Sequence, residues 1–392
     1  MRAITRLNIG GPAIHAILLT NAFDDGVDFS STLVTGTTAP HEGDMLDLAA
    51  ARDVRPVVVP ALGREISPAD DLVALARMVQ LVRRLRPDVV HTHMAKAGTV
   101  GRLAARICGV PLIVHTYHGH VFHSYFGPLK TRLFVTIERA LGLATDRIIV
   151  LGEEQRAEIA SLGVAPTAKL EPIRLGLELR QFLDAESKRG GLRRELGVSA
   201  ETPLIGIVAR LVPIKAHEVF FAAAAQVLQT LPHARFLVIG DGERRAELEA
   251  LVDRMGLRTA VTFLGWRRAV VGVYSDLDVV ALTSRNEGSP VSLIEALASA
   301  RPVISTRVGG VPDVVVDTVT GLTVPSGDAT AVAEGMLRLL RDRELANRLA
   351  AAGRRHVYPR YDSSRLVDDV RNLYVRELNG RRPVVPSVGV PV

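Results

Sequence analysis

The sequence predicts an α/β protein built from two doubly wound parallel-sheet halves that face each other, with a helix after the second. Three observations carry this. At 392 residues the chain exceeds one ordinary core, and two domains of roughly 150–200 residues are the natural division. Short apolar runs alternate with helical segments, the βαβ rhythm of a parallel sheet, and the rhythm halts near residue 172 and restarts. Composition agrees: 47% of residues are hydrophobic but only 4% aromatic, an aliphatic core of the α/β kind and not of a β-sandwich.

In order, Ile4 to Ile9 reads as a first strand. It is short for an opening strand, so the start is expected to lie a residue or more late. Gly10-Gly-Pro then turns into an apolar helix over Ala13 to Leu19. Phe29 to Leu33 and Pro56 to Val59 are further strands. Asp70 to Leu85 carries an apolar stripe at Leu72, Leu75, Ala76, Val79 and Val82, with basic residues off it. Strand Asp88 to His93, helix Ala97 to Cys108, strand Pro111 to His115, helix Thr136 to Leu143 and strand Arg147 to Leu151 follow, and Leu170 opens one more short strand. In the second half, strands are expected at Pro203–Val208, Ala234–Ile239, Val261–Leu264, Asp278–Leu282 and Pro302–Ser305. The domains are therefore placed at 1–171 and 172–360, with a C-terminal helix over 361–378 that can pack back on the first half and a disordered tail over 379–392.

Ligands of open α/β sheets bind beyond the carboxyl ends of the strands. The most informative such end is Ser284 to Ala298, where Glu287 and Glu295 flank an expected helix start. Ser289 is expected to cap that helix and Pro290 to take its first position. Free amides and the helix dipole favour an anion there, and the two acids favour hydroxyls, a combination that fits a nucleotide sugar. Other strand ends add Arg210 and Lys215, cations suited to straddling a diphosphate, and the glycines Gly240, Gly242 and Gly265, where main chain can approach a ligand.

With Gly309-Gly-Val-Pro-Asp313 and Thr320-Gly-Leu-Thr-Val-Pro325, these motifs resemble the donor domain of retaining family-four glycosyltransferases of the GT-B fold. Asn8-Ile-Gly-Gly11, His91-Thr-His-Met-Ala-Lys-Ala-Gly98 and His115-Thr-Tyr-His-Gly-His120 are similar to the bacterial surface-polysaccharide members. The resemblance spans roughly residues 4 to 378. It implies two Rossmann-like domains, the first for the acceptor and the second for the donor. It implies transfer of a sugar, from a UDP-sugar by preference, to a hydroxyl of a glycan or lipid-linked glycan. Arg210 and Lys215 would hold the diphosphate and stabilise the departing charge. Glu287 would meet the sugar hydroxyls, Glu295 the ribose, and the Val291 and Ser292 amides the phosphates. Gly10 and Gly11 would approach from the first half, and His118 would face the reacting sugar. Front-face transfer, with the leaving phosphate helping to deprotonate the acceptor, is what the family implies. No cofactor and no metal are expected. Two positions depart from the pattern: Ala216 and Ala300 stand where glycine is usual.

Six of eleven histidines, His91, His93, His115, His118, His120 and His123, fall within 33 residues. Strand alternation is taken to set His91 and His93 apart, and no cysteine or acid completes a tetrahedral site, which argues against zinc. Residues 77 to 139 carry ten Lys/Arg, among them Arg83, Arg84, Arg86, Lys130 and Arg132, against Asp88 and Glu138. With Tyr117, Phe122, Tyr125 and Phe126 expected exposed, this region reads as a surface for anionic lipid headgroups. No recognition motif accompanies the charge, which sets nucleic acid aside.

Cys108 alone excludes a disulfide framework and reads as a buried structural thiol in a reducing compartment. No run of eighteen apolar residues exists, and the N-terminus lacks the signal-peptide pattern. A cytoplasmic protein, peripheral on the inner face of the membrane, is expected. A nucleotide-sugar epimerase of GT-B fold is the alternative, and it would call for further acids near the sugar. A dehydrogenase would need Gly-x-Gly-x-x-Gly between strand and helix, which Ile9-Gly-Gly-Pro does not supply.

Overall fold

The computed structural model describes residues 1–38, 43–63, 67–119, 128–267 and 269–380. Seven parallel strands form the first sheet: β1 Arg2–Arg6, β2 Leu33–Gly36, β3 Val57–Val58, β4 Val89–His93, β5 Leu112–Thr116, β6 Arg147–Val150 and β7 Leu170–Pro172, in the order β3-β2-β1-β4-β5-β6-β7. Six form the second: β8 Leu204–Val208, β9 Arg235–Ile239, β10 Val261–Gly265, β11 Val279–Leu282, β12 Val303–Thr306 and β13 Leu322–Val324, in the order β10-β9-β8-β11-β12-β13. Every ladder is parallel, and the order reverses beside β1 and β8. These are the doubly wound halves expected from the sequence.

Both faces of the sheets are covered; in the second sheet the central strands β8 and β11 are continuous apolar runs, whereas β1 and β4 of the first also bury Arg2, Thr5, His91, Thr92 and His93. Ile205, Ile207, Phe236 and Val238 are wholly buried on one side of the second sheet, and Leu204, Leu237, Val280 and Leu282 on the other. Each such side chain contributes about 1.5–3 kcal/mol of burial.

Several elements depart from the expectation. The first strand is Arg2–Arg6, and the helix after Gly10 runs over Gly11–Ala22. The second strand starts only at Leu33, because Asp25 Oδ1 collects the amides of Val27, Asp28 and Phe29 and bends that stretch away from the sheet. The helix of the acidic stretch is Val291–Ala298, and no side chain caps it. Pro290 stands at the cap, where its carbonyl accepts from Leu293 and Ile294, so the capping role expected of Ser289 is corrected.

The C-terminal helix, Ser363–Asn379, lies on the first half. Leu366, Val370, Leu373 and Tyr374 pack with Leu19, Phe23, Leu112, Val114 and Ile149. Asn379 ends that helix, and residues 381–392 of the expected tail lie outside the described residues.

The two alanines that stand where the resemblance calls for glycine both adopt the left-handed conformation, Ala216 at φ 47° and Ala300 at φ 52°. An L side chain there costs roughly 1–2 kcal/mol, which glycine escapes at the expense of a more flexible unfolded chain. Ala216→Gly and Ala300→Gly are each expected to stabilise the protein by about 0.5–1 kcal/mol. Urea unfolding measures this, and an unchanged or lower midpoint for both would contradict the strain.

Candidate active site

The loops after β5 of the first sheet and β11 of the second meet. A Cβ on Gly288 would lie 2.7 Å from the His118 carbonyl oxygen and 2.8 Å from the Gly119 Cα, so only glycine allows this approach. Beside it, Gly11 faces Val291 across the two halves, 3.6 Å from where a Cβ would sit to the Val291 Cγ2. Gly10 precedes it as the residue before the helix. The carboxyl ends of both sheets thus share one cleft, where ligands of this architecture bind.

On the second-half side, Lys215 Nζ donates to Glu287 Oε1 at 2.5 Å, and Ser284 Oγ donates to the same oxygen at 2.5 Å. Glu287 is buried, 7% exposed, and Lys215 is half-buried. The pair is held by its backbone: Thr283 Oγ1 donates to the Lys215 and Ala216 carbonyls, and the Arg285 amide to the Ile214 carbonyl. Arg210 is exposed and makes no ion pair among the described residues. Two cations and one acid therefore stand at neighbouring strand ends, Arg210 open to solvent and Lys215 oriented by Glu287.

Glu295 lies on the inner turn of the helix and accepts from the Tyr274 hydroxyl at 2.9 Å. Burial pushes its carboxyl up to about 7 against the pull of that hydrogen bond. The Val291 amide donates to the Ser289 carbonyl at 3.0 Å, whereas the Ser292 amide has no acceptor among the described residues.

Gly240 and Gly242 have a local reason that the sequence does not show. A Cβ on Gly240 would lie 2.0 Å from the Ala209 carbonyl oxygen, and on Gly242 2.6 Å from that of Leu211. They are the bed against which the Arg210 loop is laid. Gly265 accepts from the Gly240 amide at 2.9 Å and fixes the neighbouring strand end.

His118, half-buried, joins a histidine cluster that the sequence reading divided wrongly. Residues two apart on a strand share a face, so His91 and His93 lie together, ring centroids 4.3 Å apart. His93 Nδ1 and His118 Nε2 are 3.0 Å apart. His15, from the first helix, meets both rings edge-on at 5.4 and 5.0 Å. One ring nitrogen from each of His15, His93 and His118 falls within 4.8 Å of the others. Desolvation holds all of them neutral, His118 down to about 3 and His15 and His93 well below their ordinary range. His15 was missed, and its only signal was a lone histidine in an apolar helix. His120 and His123 lie outside the described residues. His115 turns to Thr92, at 2.8 Å.

Tyr117 is buried and not exposed as expected: its hydroxyl donates to Glu138 at 2.5 Å, and Glu138 pairs with the fully buried Arg102. Arg102 is thus core and leaves the basic surface. Phe122, Tyr125, Phe126 and the side chain of Lys130 lie outside the described residues.

Comparison with known proteins adds the following. Residues 189–356 match the family model described as glycosyl transferases group 1, and residues 11–176 that of a glycosyl transferase 4-like domain. A UDP-Gal:alpha-D-GlcNAc-diphosphoundecaprenol alpha-1,3-galactosyltransferase of Escherichia coli is 30% identical over 327 residues, 82% of this chain and 84% of that protein. A D-inositol 3-phosphate glycosyltransferase of Actinosynnema mirum is 30% identical, over 78% of each chain. Among solved structures, Anabaena HepE in complex with UDP and glucose has a TM-score of 0.81 at 20% identity, over 95% of this chain and 98% of that one. The sucrose-phosphate synthase of Thermosynechococcus elongatus has a TM-score of 0.79 at 24% identity, over 97% and 99%.

Proposed function

The chain belongs to the group 1 glycosyl transferases, and on that footing we propose that it is a retaining enzyme moving a sugar from a UDP-sugar to a hydroxyl of a lipid-linked glycan. The observation that carries this reading is the Lys215–Glu287 pair beside the open Arg210, at strand ends that face Gly11 and His118. The UDP and lipid-diphosphate parts rest on the Escherichia coli relative, whose name specifies both. The Escherichia coli and Actinosynnema mirum relatives are both transferases by name, and neither is an epimerase.

In this reading the bond from the sugar C1 to the β-phosphate oxygen breaks as the acceptor oxygen bonds C1 from the same face. The acceptor proton passes to the leaving phosphate. Arg210 and Lys215, with the Ser292 amide, meet the charge that collects on that phosphate. Glu287 accepts from sugar hydroxyls while keeping the Lys215 ammonium in place. Glu295 accepts from the ribose hydroxyls, and His118 contacts the sugar from the first half. No metal is needed in this scheme, since the two cations carry the charge balance. The domain roles follow the same division, acceptor in 1–171 and donor in 172–360.

Calorimetric titration with UDP, GDP and ADP tests the reading, with UDP expected to bind most tightly. The pH dependence is part of the test. Glu295 loses its proton as pH passes about 7, and the carboxylate is the better acceptor for ribose hydroxyls. UDP affinity is therefore expected to rise severalfold, at most about tenfold per pH unit, between pH 6 and 8. Glu295→Gln removes that increment and leaves only the slope of the ligand's own phosphate. Equal binding of all three nucleotides, or none, would overturn the donor assignment.

We also propose that the first half docks on anionic membrane. No helix among the described residues is long and apolar enough to cross a membrane. Helix Ala95–Ile107 packs beside Pro68–Leu85 and Pro128–Leu143. These helices expose Leu72, Leu103, Ile107, Leu133 and Ile137 together with Arg83, Arg84, Arg106 and Arg132, apolar and basic groups suited to headgroups. The protein is expected to sediment with phosphatidylglycerol vesicles and not with phosphatidylcholine alone. The alanine variant of Arg83, Arg84 and Arg86 should stay in the supernatant, and retained sedimentation would remove the proposal.

A further inference from the structure

The histidine cluster contains an unexplained asymmetry. His93 is wholly buried, its Nδ1 engaged with His118 Nε2 at 3.0 Å and its Nε2 without a hydrogen-bond partner. His15, also wholly buried, has both ring nitrogens unpartnered. Each neutral imidazole carries one N–H, so the His93–His118 contact can be made in only two ways. Either His93 donates from Nδ1, or His118 donates from Nε2.

The second arrangement puts the His93 proton on Nε2, a buried N–H with nothing to receive it. The first leaves a bare lone pair there. Orphaned buried N–H groups are the rarer of the two in folded proteins. His15 carries one N–H on one of two buried, unpartnered nitrogens, and one of its ring nitrogens lies within 4.8 Å of one on His93 and one on His118. A lone pair on His93 Nε2 adds no second orphaned N–H to this space. We infer that His93 is a positioning residue: it donates from Nδ1 to His118 Nε2, and so fixes His118 as the tautomer whose Nδ1–H faces the cleft. His118 then serves as a hydrogen-bond donor to a sugar oxygen, oriented by His93 and packed edge-on by His15.

This rests on the reading of His118 as a donor-facing residue, and the test separates the two claims. Two-bond proton–nitrogen correlation spectra of protein labelled with nitrogen-15 in histidine report which ring nitrogen is protonated. The His118 signals are identified by their loss in His118→Gln. Wild type and His93→Asn, whose amide keeps a donor at the Nδ1 position, are expected to show His118 protonated at Nδ1. His93→Leu, close to asparagine in shape, should lose that single state. Its transfer rate should fall about tenfold, the worth of one hydrogen bond, with His93→Asn within threefold of wild type. Protonation of His118 at Nε2 in the wild type, or an unchanged His118 spectrum in His93→Leu, would overturn the inference. So would one zinc per chain retained on these nitrogens. If the tautomer is as stated but His118→Ala transfers at the wild-type rate, the positioning role falls because His118 does not meet the sugar. UDP binding through Lys215 and Glu295, measured separately, tells that failure from a failure of the transferase reading.

Discussion

Replacing Lys215 by alanine is expected to lower kcat by roughly 10²–10³, with a much smaller effect on UDP affinity. Removing one preorganised group aimed at developing charge costs about 2.7–4 kcal/mol of transition-state stabilisation. Lys215 is such a group because its ammonium is set before any ligand arrives. Glu287 accepts from it at 2.5 Å, and the backbone beneath is tied to Thr283 and Arg285. A Lys215→Ala change also leaves Glu287 buried with, among the described residues, only the Ser284 hydroxyl as side-chain partner. The loss should therefore exceed that from Arg210→Ala, whose exposed guanidinium is not held in advance. Single-turnover measurement of transfer from a UDP-sugar separates chemistry from binding. A Lys215→Ala enzyme within threefold of wild type would remove Lys215 from the mechanism.

The largest stability effect is expected away from the cleft, at Glu138. Its carboxylate receives both Arg102 contacts, at 3.0 and 2.8 Å, and the Tyr117 hydroxyl at 2.5 Å. Arg102 is 0% exposed, and its Nε is spent on the Gly98 carbonyl. Glu138→Ala strands that guanidinium in the core, and breaking a buried pair in this way costs about 3–5 kcal/mol. Replacing Arg102 and Glu138 together by leucines should cost far less, because no charge is left behind. Urea unfolding of the single and double variants checks this, and equal losses for both would refute the account. Because Tyr117 precedes His118, the single variant should also loosen the first-half wall of the cleft.

The strands were legible where a short apolar run ended in a glycine, a charge or a proline, and that covers most members of both sheets; β1 and β2 are displaced from the expected Ile4–Ile9 and Phe29–Leu33. β13 escaped notice as a strand: three residues are too few for a periodicity, and Leu322–Val324 were noticed only as part of a motif. The loop residues Arg210, Lys215, Glu287 and Glu295 were legible for the same reason as the strands. In a parallel sheet, chain position next to a strand's carboxyl end already states where a residue lies in space.

Partners were not legible. Arg102 and Glu138 are 36 residues apart; Arg102 is one of the ten cations of the expected basic surface and Glu138 one of the two acids against them, yet they pair with each other in the core. His15 lies within the first helix and His118 in the loop after β5, and Tyr374, on the last helix, bonds His91 Nδ1 at 2.6 Å.

By itself the sequence determined the two-half parallel architecture, the cleft between them and the residues at the donor-side strand ends. These follow from local patterns of period, turn chemistry and strand order. Only the tertiary structure decided which charges are paired, which carboxyl is pushed toward neutrality and which histidines meet. Those depend on burial and on contacts between distant segments, and burial sets the desolvation that governs the charge state of each group.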